Sequence, residues 1–376
     1  MDAVAEYLFL SLPQSADAKE WLEQQLNSGK SPIYQLKFPD FQIGTLDSLI
    51  QESEELSKID LLLVLAISKV VDILSNVLET PTGSFSNKVV NSKLVLDYVE
   101  KFQWNTSKYR LDNPVTQLVK VIADEALVLD SDVRASYQSY QTAKLNFLAA
   151  DRKKNGDLSI KSLHEIVRPE QFVLNSDHLI TVLIAVPKSL VDDFKKTYET
   201  LTQFVVPRSA ELISSDSEYS LFGITLFKKY QQEFYSAARE KKWHPRTDFT
   251  YLEEVLDNLR KEFDMTRAAE TKTKNDLIRL ARTAYSDIFS CWVHIKTLRV
   301  YVESVLRYGL PPKFDFFLIK FTANSLKDVS KVKKELIAKF GYLGGNQHSQ
   351  NQNLHEYASL VDTEYDPFVI YELPIV

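Results

Sequence analysis

From Tyr7 to Leu12 the chain reads YLFLSL, with leucines alternating against aromatic and serine positions, and then stops at Pro13; this is the pattern of a buried strand. A short helical stretch from Trp21 to Leu26 follows, then a turn-rich passage holding Gly29, Pro32 and Pro39. A long helical pattern runs from Leu46 to Leu78 and ends before Pro81 and Gly83. From Val115 the apolar residues recur three or four apart, at Leu118, Val119, Ile122, Ala126, Leu129 and Val133, with no Gly or Pro before Gly156. That spacing predicts one helix of about forty residues, roughly 60 Å long. A second uninterrupted stretch, Arg246 to Tyr308, lies between Pro245 and Gly309, with Pro311 and Pro312 beyond, and these are helix start and stop signals. Its apolar stripe fades between Asp264 and Asp276, so this section is expected to be solvated.

Between the two long helices, Leu179–Val186 and Tyr219–Phe227 read as strands, Leu190–Leu201 as an amphipathic stretch and Lys228–Lys242 as a helical run. After the second long helix come a strand at Phe314–Phe321, a helix at Leu326–Phe340 and a last strand at Tyr365–Tyr371, placed to share a sheet with the first strand. A 60 Å helix exceeds the radius of about 21 Å expected of a compact chain of this length. The predicted fold is therefore α+β, mostly α: an elongated dumbbell with two α/β globular ends, a foot and a head, joined by a long antiparallel helical neck. In that scheme residues 1–139 begin the foot and lead into the neck, 140–157 and 251–275 form the neck, 158–250 the inserted head, and 276–376 complete the foot.

Composition narrows the function. With 45 Lys and Arg against 51 Asp and Glu, the net charge of −6 offers no broad basic field, and no nucleic-acid partner is expected. The longest apolar run, Leu61–Ile67, is far short of the ~20 residues of a membrane span, so no direct membrane insertion is expected. One cysteine, Cys291, excludes an internal disulfide and fits a cytosolic, reducing compartment.

No arrangement for chemistry emerges, and neither cofactor nor metal is expected. Gly29-Lys30-Ser31 lacks the glycine a phosphate loop needs five residues earlier, where Gln24 stands. The six histidines are scattered without metal-ligand spacing. Cys291 sits in an apolar stripe beside Ile288, Trp292 and Ile295, as a packing thiol does. Glu52, Glu54 and Glu55 read as the wet face of a helix, and Arg152, Lys153 and Lys154 as cations complementing a helix C-terminus.

Several blocks carry a family resemblance. IKTLRVYVESVLRYGLPP at Ile295–Pro312 and SLVDTEYDPFVI at Ser359–Ile370 lead them; ESEELSK at Glu52–Lys58, DVRASYQSYQTAK at Asp132–Lys144, RKKNGDLSIKSLHEIV at Arg152–Val167 and VPKS at Val186–Ser189 accompany them. In this order they resemble the C-subunit family of vacuolar-type (V-type) proton ATPases, closest to its fungal members, over essentially the whole chain. The resemblance implies a non-catalytic stator and regulatory subunit of the peripheral sector, monomeric when isolated, cytoplasmic and peripheral on the cytosolic face of the vacuolar membrane. Its head is expected to hold one E–G peripheral stalk heterodimer, and its foot a second E–G stalk and the N-terminal cytosolic domain of the a subunit. It would be needed for ATP-driven proton transport and released on reversible disassembly. The alternative is a cytoskeletal or membrane-trafficking adaptor rod, in keeping with a possible filament contact. Because interface energy concentrates in aromatic anchors, Phe249, Tyr251 and Phe368 are the candidate partner-binding residues, with core packing as the competing role for each. Lys228, Lys229, Lys241 and Lys242 are candidates for an acidic partner surface.

Overall fold

The computed structural model describes residues 6–14, 16–26, 31–79, 88–173, 176–249, 253–310, 313–321, 326–344 and 368–375. In chain order the elements are β1 (Glu6–Pro13), α1 (Ala16–Leu26), β2 (Ile33–Leu36), α2 (Leu46–Leu78), β3 (Val89–Val90), β4 (Lys93–Leu94), α3 (Val95–Glu100) and α4 (Val115–Asn155). There follow β5 (Leu179–Pro187), α5 (Val191–Thr197), β6 (Glu211–Ser215), β7 (Tyr219–Phe227), α6 (Gln231–Glu240) and β8 (His244–Pro245). The last elements are α7 (Glu253–Tyr308), β9 (Phe314–Phe321), α8 (Leu326–Phe340) and β10 (Val369–Pro374), which gives an α+β protein with several small sheets. The chain forms two compact units: Met1–Tyr137 with Leu277–Val376, and Gln138–Asp276.

In the first unit, strands from both ends of the chain share one antiparallel sheet ordered β10-β1-β9-β2. The period-2 alternation of β1 decides its two faces. Leu8, Leu10 and Leu12 join Phe317, Ile319 and Phe321 of β9 in a core closed by Ala18 and Leu22 of α1 and by Val332, Leu336 and Phe340 of α8. On the opposite side Ser11 Oγ accepts a 2.7 Å hydrogen bond from Ser304 of α7, and its carbonyl accepts one of 2.8 Å from Tyr308. Helix α2 is long and apolar enough by composition to cross a bilayer. Its Leu49, Leu56, Leu63, Ile67, Val70 and Leu74 are nonetheless buried in this unit. Thr45 caps it, accepting from the Ser48 N–H, and Glu79 closes it in the left-handed region at φ 54°.

The second unit is built on an antiparallel sheet ordered β6-β7-β5-β8. Strand β5 is apolar on both faces, so its run of ITVLIAV divides between two cores. Val182, Ile184 and Val186 point toward Phe194 of α5 and Phe234, Tyr235 and Ala238 of α6, whereas Leu183 and Ala185 meet Leu158, Leu163 and Val167. At Gly223 the backbone of β7 passes so close to β6 that a Cβ would lie 3.2 Å from Ile213 Cδ1.

Two predicted boundaries are corrected. The second long helix starts at Glu253, not at Arg246. His244 and Pro245 instead pair with Ala185 and Ile184, and the Arg246 N–H donates to the Leu183 carbonyl at 2.8 Å, so sheet pairing holds this segment extended. Pro245 is an edge-strand proline rather than a helix-opening one. The final strand begins at Val369 and reaches Pro374, paired with Glu6, while the first residues of its predicted range lie outside those described. The expectation of a solvated stretch within α7 agrees with the exposure of its side chains: none from Asp264 to Asp276 is buried.

Candidate functional site

Helix α7 brings the polar groups of the first unit's interior together. Over Ile288–Val305 only Arg299 and Glu303 escape full burial. A helix buried all round must supply partners for its polar side chains from its neighbours. Asp60 of α2 provides them, at 3% exposure: Lys296 Nζ stands 2.8 Å and Arg299 Nη1 2.5 Å from Oδ2, and Trp292 Nε1 donates to Oδ1 at 2.6 Å. The Arg299 guanidinium also lies over the Tyr371 ring of β10, 4.1 Å from its centroid. Burial lowers the Lys296 ammonium pKa below its ordinary value, with the attraction of Asp60 opposing the shift.

On the opposite face of the helix, two residues from both Trp292 and Lys296, His294 is enclosed by the rings of Phe102, Trp104 and Tyr109 at 4.8–5.0 Å. Its Nε2 accepts the Asn105 N–H at 3.3 Å, so Nδ1 is left to donate to the Ser290 carbonyl at 2.7 Å. Burial pushes its pKa down to about 4, which makes it a neutral packing histidine. Burial likewise pushes the Cys291 thiol up to about 11; the Tyr109 hydroxyl stands 3.5 Å away. A thiol so protonated is no nucleophile at neutral pH.

Glu52, read from sequence as part of a wet face, is buried at 4% exposure and accepts from the Thr116 hydroxyl, while Glu54 and Glu55 are exposed. Among the described residues no three His, Cys, Asp or Glu side chains are placed to hold a metal ion.

The candidate binding residues separate. Phe368 is 1% exposed and belongs to the core between β1, β9, α1 and α8, with its carbonyl accepting from Arg307 at 2.6 Å. It is corrected from a partner anchor to a packing residue; its place after Asp366 and Pro367 in the sequence gives no sign of the ring's inward direction. Phe249 is half-buried, stacked on Phe172 at 5.6 Å and beside His164 at 4.8 Å. Tyr251 lies outside the described residues.

All four lysines are exposed, but they do not converge. Lys228 and Lys229 precede α6 and Lys241 and Lys242 follow it, so its ten residues hold the pairs roughly 15 Å apart. Lys228 donates to the Ser176 carbonyl. Lys242 takes φ 61° as the left-handed residue that ends α6: its N–H bonds the Arg239 carbonyl at 3.0 Å, and the next N–H, of Trp243, reaches back to Ala238 at 3.0 Å.

Arg246, which the sequence did not single out, fastens the second unit. At 4% exposure its guanidinium donates to the carbonyls of Leu158 and Lys161, both at 2.7 Å, and to Asp248 at 2.8 and 3.0 Å. Three aromatics were also missed. Phe204, 54% exposed, stacks on Tyr230 at 4.9 Å and meets Phe227, 39% exposed, at 5.7 Å. No periodicity marks Phe204, because its exposure follows from a left-handed backbone at φ 62°.

The family model for the C subunit of the V-ATPase matches residues 7–369. The chain is 50% identical to the V-type proton ATPase C subunit of Saccharomyces cerevisiae, covering 97% of both chains. It is 36% identical to that of Caenorhabditis briggsae over 98% of this chain and 97% of the relative, and 32% identical to the C 1 subunit of Xenopus laevis over 98% of each. The crystal structure of the cytoplasmic N-terminal domain of the V-ATPase I subunit, a homologue of the a subunit, aligns at 14% identity and a TM-score of 0.33, over 88% of this chain and 97% of that one. A likeness at that score establishes no shared fold. The sequence matches cover nearly the whole chain, and they place it in the V-ATPase C-subunit family.

Proposed function

We infer that this chain is a non-catalytic stator and regulatory subunit of the peripheral sector of a V-type proton ATPase. In this role it bridges E–G peripheral stalk heterodimers and the N-terminal cytosolic domain of the a subunit, on the cytosolic face of the membrane, and is needed for ATP-driven proton transport. The single observation that carries the reading is the match to the C subunit of S. cerevisiae, 50% identical over 97% of both chains. The dumbbell with head, neck and foot belongs to the same proposal, and the solvated stretch from Asp264 to Asp276 supports the neck. A protein released on reversible disassembly needs interfaces that are individually modest, with their strength coming from simultaneous engagement.

The test is light-scattering chromatography of the purified chain, alone and mixed with an E–G heterodimer at low micromolar concentration. The reading predicts a monomer that shifts to an equimolar complex. A chain that never co-elutes with E–G contradicts it.

A further inference from the structure

The second unit is built from two matching halves. Strands β5 and β7 are both nine residues long. Each runs into a three-residue helical turn, Lys188–Leu190 or Lys228–Tyr230, and then into a helix whose fourth residue, Phe194 or Phe234, is fully buried. Beyond the helices the likeness continues. Phe204 and Lys242 both take the left-handed region, at φ 62° and 61°, and the next residues, Val205 and Trp243, are buried in the same core. Val206-Pro207-Arg208-Ser209 then matches His244-Pro245-Arg246-Thr247. In the sheet Leu183, the middle residue of β5, pairs with Gly223, the middle residue of β7, so a local two-fold axis through that pair relates the halves.

The halves differ after the arginine. In the first, the chain goes on as β6 and covers the edge of β7 from Ser220 to Gly223. In the second, pairing stops where the Arg246 N–H meets the Leu183 carbonyl, and α7 begins at Glu253. The edge of β5 equivalent to the one β6 covers is Ile180–Leu183, and among the described residues no strand lies beside it before Leu183. A groove of about 420 Å³ lies there instead, with Phe172 and Phe249 toward one face of the sheet and Gln231, Gln232 and Tyr235 toward the other.

The backbone of Thr181 faces this groove. Its cross-strand partner Thr225 accepts the Val206 N–H on its carbonyl at 3.0 Å and donates its own N–H to Ser209 Oγ at 3.2 Å, both on the side away from β5. Thr181 and Thr225 are therefore a non-hydrogen-bonded pair, and Thr181 turns its N–H and carbonyl outward, along the edge on which Leu183 receives Arg246. The Thr181 hydroxyl already accepts the Val173 N–H at 3.0 Å, so the main chain is what the edge offers. A donor and an acceptor side by side on a strand edge are matched by another extended main chain. On the equivalent edge β6 shows what fits: it lays Ile213 on the core that Leu183 faces, and its paired residues Leu212, Ser214 and Ser215 carry no charge. Among the described residues that line the groove Arg246 alone is charged, and Asp248 neutralises it at 2.8 Å. We propose that the β5 edge at Ile180–Leu183 is a strand-addition site for an extended, uncharged segment of a partner protein, which pairs with the Thr181 main chain and sets an apolar side chain against Phe172 and Phe249.

Amide hydrogen exchange of the full chain, followed by nuclear magnetic resonance, tests this with a capped synthetic peptide carrying Ala210–Ser215 with Glu211→Gln. Peptide at millimolar concentration is expected to slow exchange of the Thr181 amide at least about tenfold. Of two versions of the peptide N-methylated on alternate residues, the one blocked on its inner edge is expected to lose the effect and the other to keep it. Thr181→Pro removes the outward N–H at a position where an edge strand tolerates proline, and is expected to abolish the shift that the peptide causes in the Gln232 side-chain amide with little change in melting temperature. Should that variant fail to fold, the two methylated peptides still decide: if both act alike, the main chain does not pair and the proposal falls. A Thr181 amide already protected in the chain alone means that the chain covers its own edge, and protection that grows with the concentration of the chain means that a second copy does. Either result overturns the proposal, as does a peptide that leaves exchange unchanged.

Discussion

Two stretches of α7 obey opposite rules. Between Asp264 and Asp276 the helix buries no side chain, and its Thr266, Thr271 and Thr273 hydroxyls turn back to carbonyls four residues earlier, at 2.8–2.9 Å. Between Ile288 and Val305 nearly every residue is buried, and the polar ones find partners on other elements or on the preceding turn: Ser290 on Tyr98, Lys296 on Asp60, Ser304 on Ser11, Thr297 on the Val293 carbonyl. A helical stretch with no buried side chain leans on local propensity and on its continuation at both ends. A helix enclosed on all sides gains its stability from packing, and then any polar group it carries must be matched individually. The same element is thus insensitive to substitution in one part and intolerant of it in another.

The comparison is broken most severely at Asp60. Asp60→Ala strands the Lys296 and Arg299 cations and the Trp292 indole N–H in a buried site, and is expected to cost about 3–5 kcal/mol in urea unfolding of the first unit. An unchanged midpoint would show that the cluster is solvated.

His294 supplies a pH signature. Its pKa falls to about 4 in the fold from about 6.5 in the unfolded chain, so below pH 6.5 the unfolded chain binds the extra proton. Stability contributed by the neutral ring is complete above pH 6.5 and lost as pH falls toward 4, in total about 3 kcal/mol. The carboxylates held low, such as Glu100 and Asp248, add their own loss only below about pH 4.5. His294→Gln is therefore expected to flatten the stability profile between pH 6.5 and 4.5; a profile that keeps its slope would assign it to other groups.

In the second unit, Arg246→Ala removes the donors that hold the Leu158 and Lys161 carbonyls and should lower stability by about 2 kcal/mol, read as faster hydrogen exchange over residues 157–161. The smallest effect is expected in the solvated stretch, where Lys272→Ala should change the unfolding midpoint by less than about 0.5 kcal/mol. A larger loss there would reveal a packed face.

Long periodic segments were legible in the sequence. Strands β1, β5, β7 and β9 and helices α2, α4 and α8 follow their hydrophobic patterns because burial on a defined face is what sets those patterns. Shorter elements were not: β3 and β4 are a two-residue ladder turning through Asn91 and Ser92 at positive φ, and β8 is two residues long, too short for any periodicity. Pro245 carried a genuine helix-start signal that tertiary pairing overrode. Among the candidate binding residues, the exposure of the four lysines followed from their charge, but the inward direction of Phe368 and the outward direction of Phe204 depend on a sheet register and a backbone dihedral, and neither is written in composition.

The most direct test of the functional account is reconstitution. This chain is supplied to vacuolar membranes stripped of their own C subunit, and ATP-driven proton uptake is followed with a quenched dye alongside ATP hydrolysis by the chain alone. The account predicts that uptake returns in proportion to the chain added, and that the isolated chain hydrolyses no ATP. Membranes that stay inactive with the chain bound, or hydrolysis by the chain alone, would contradict it.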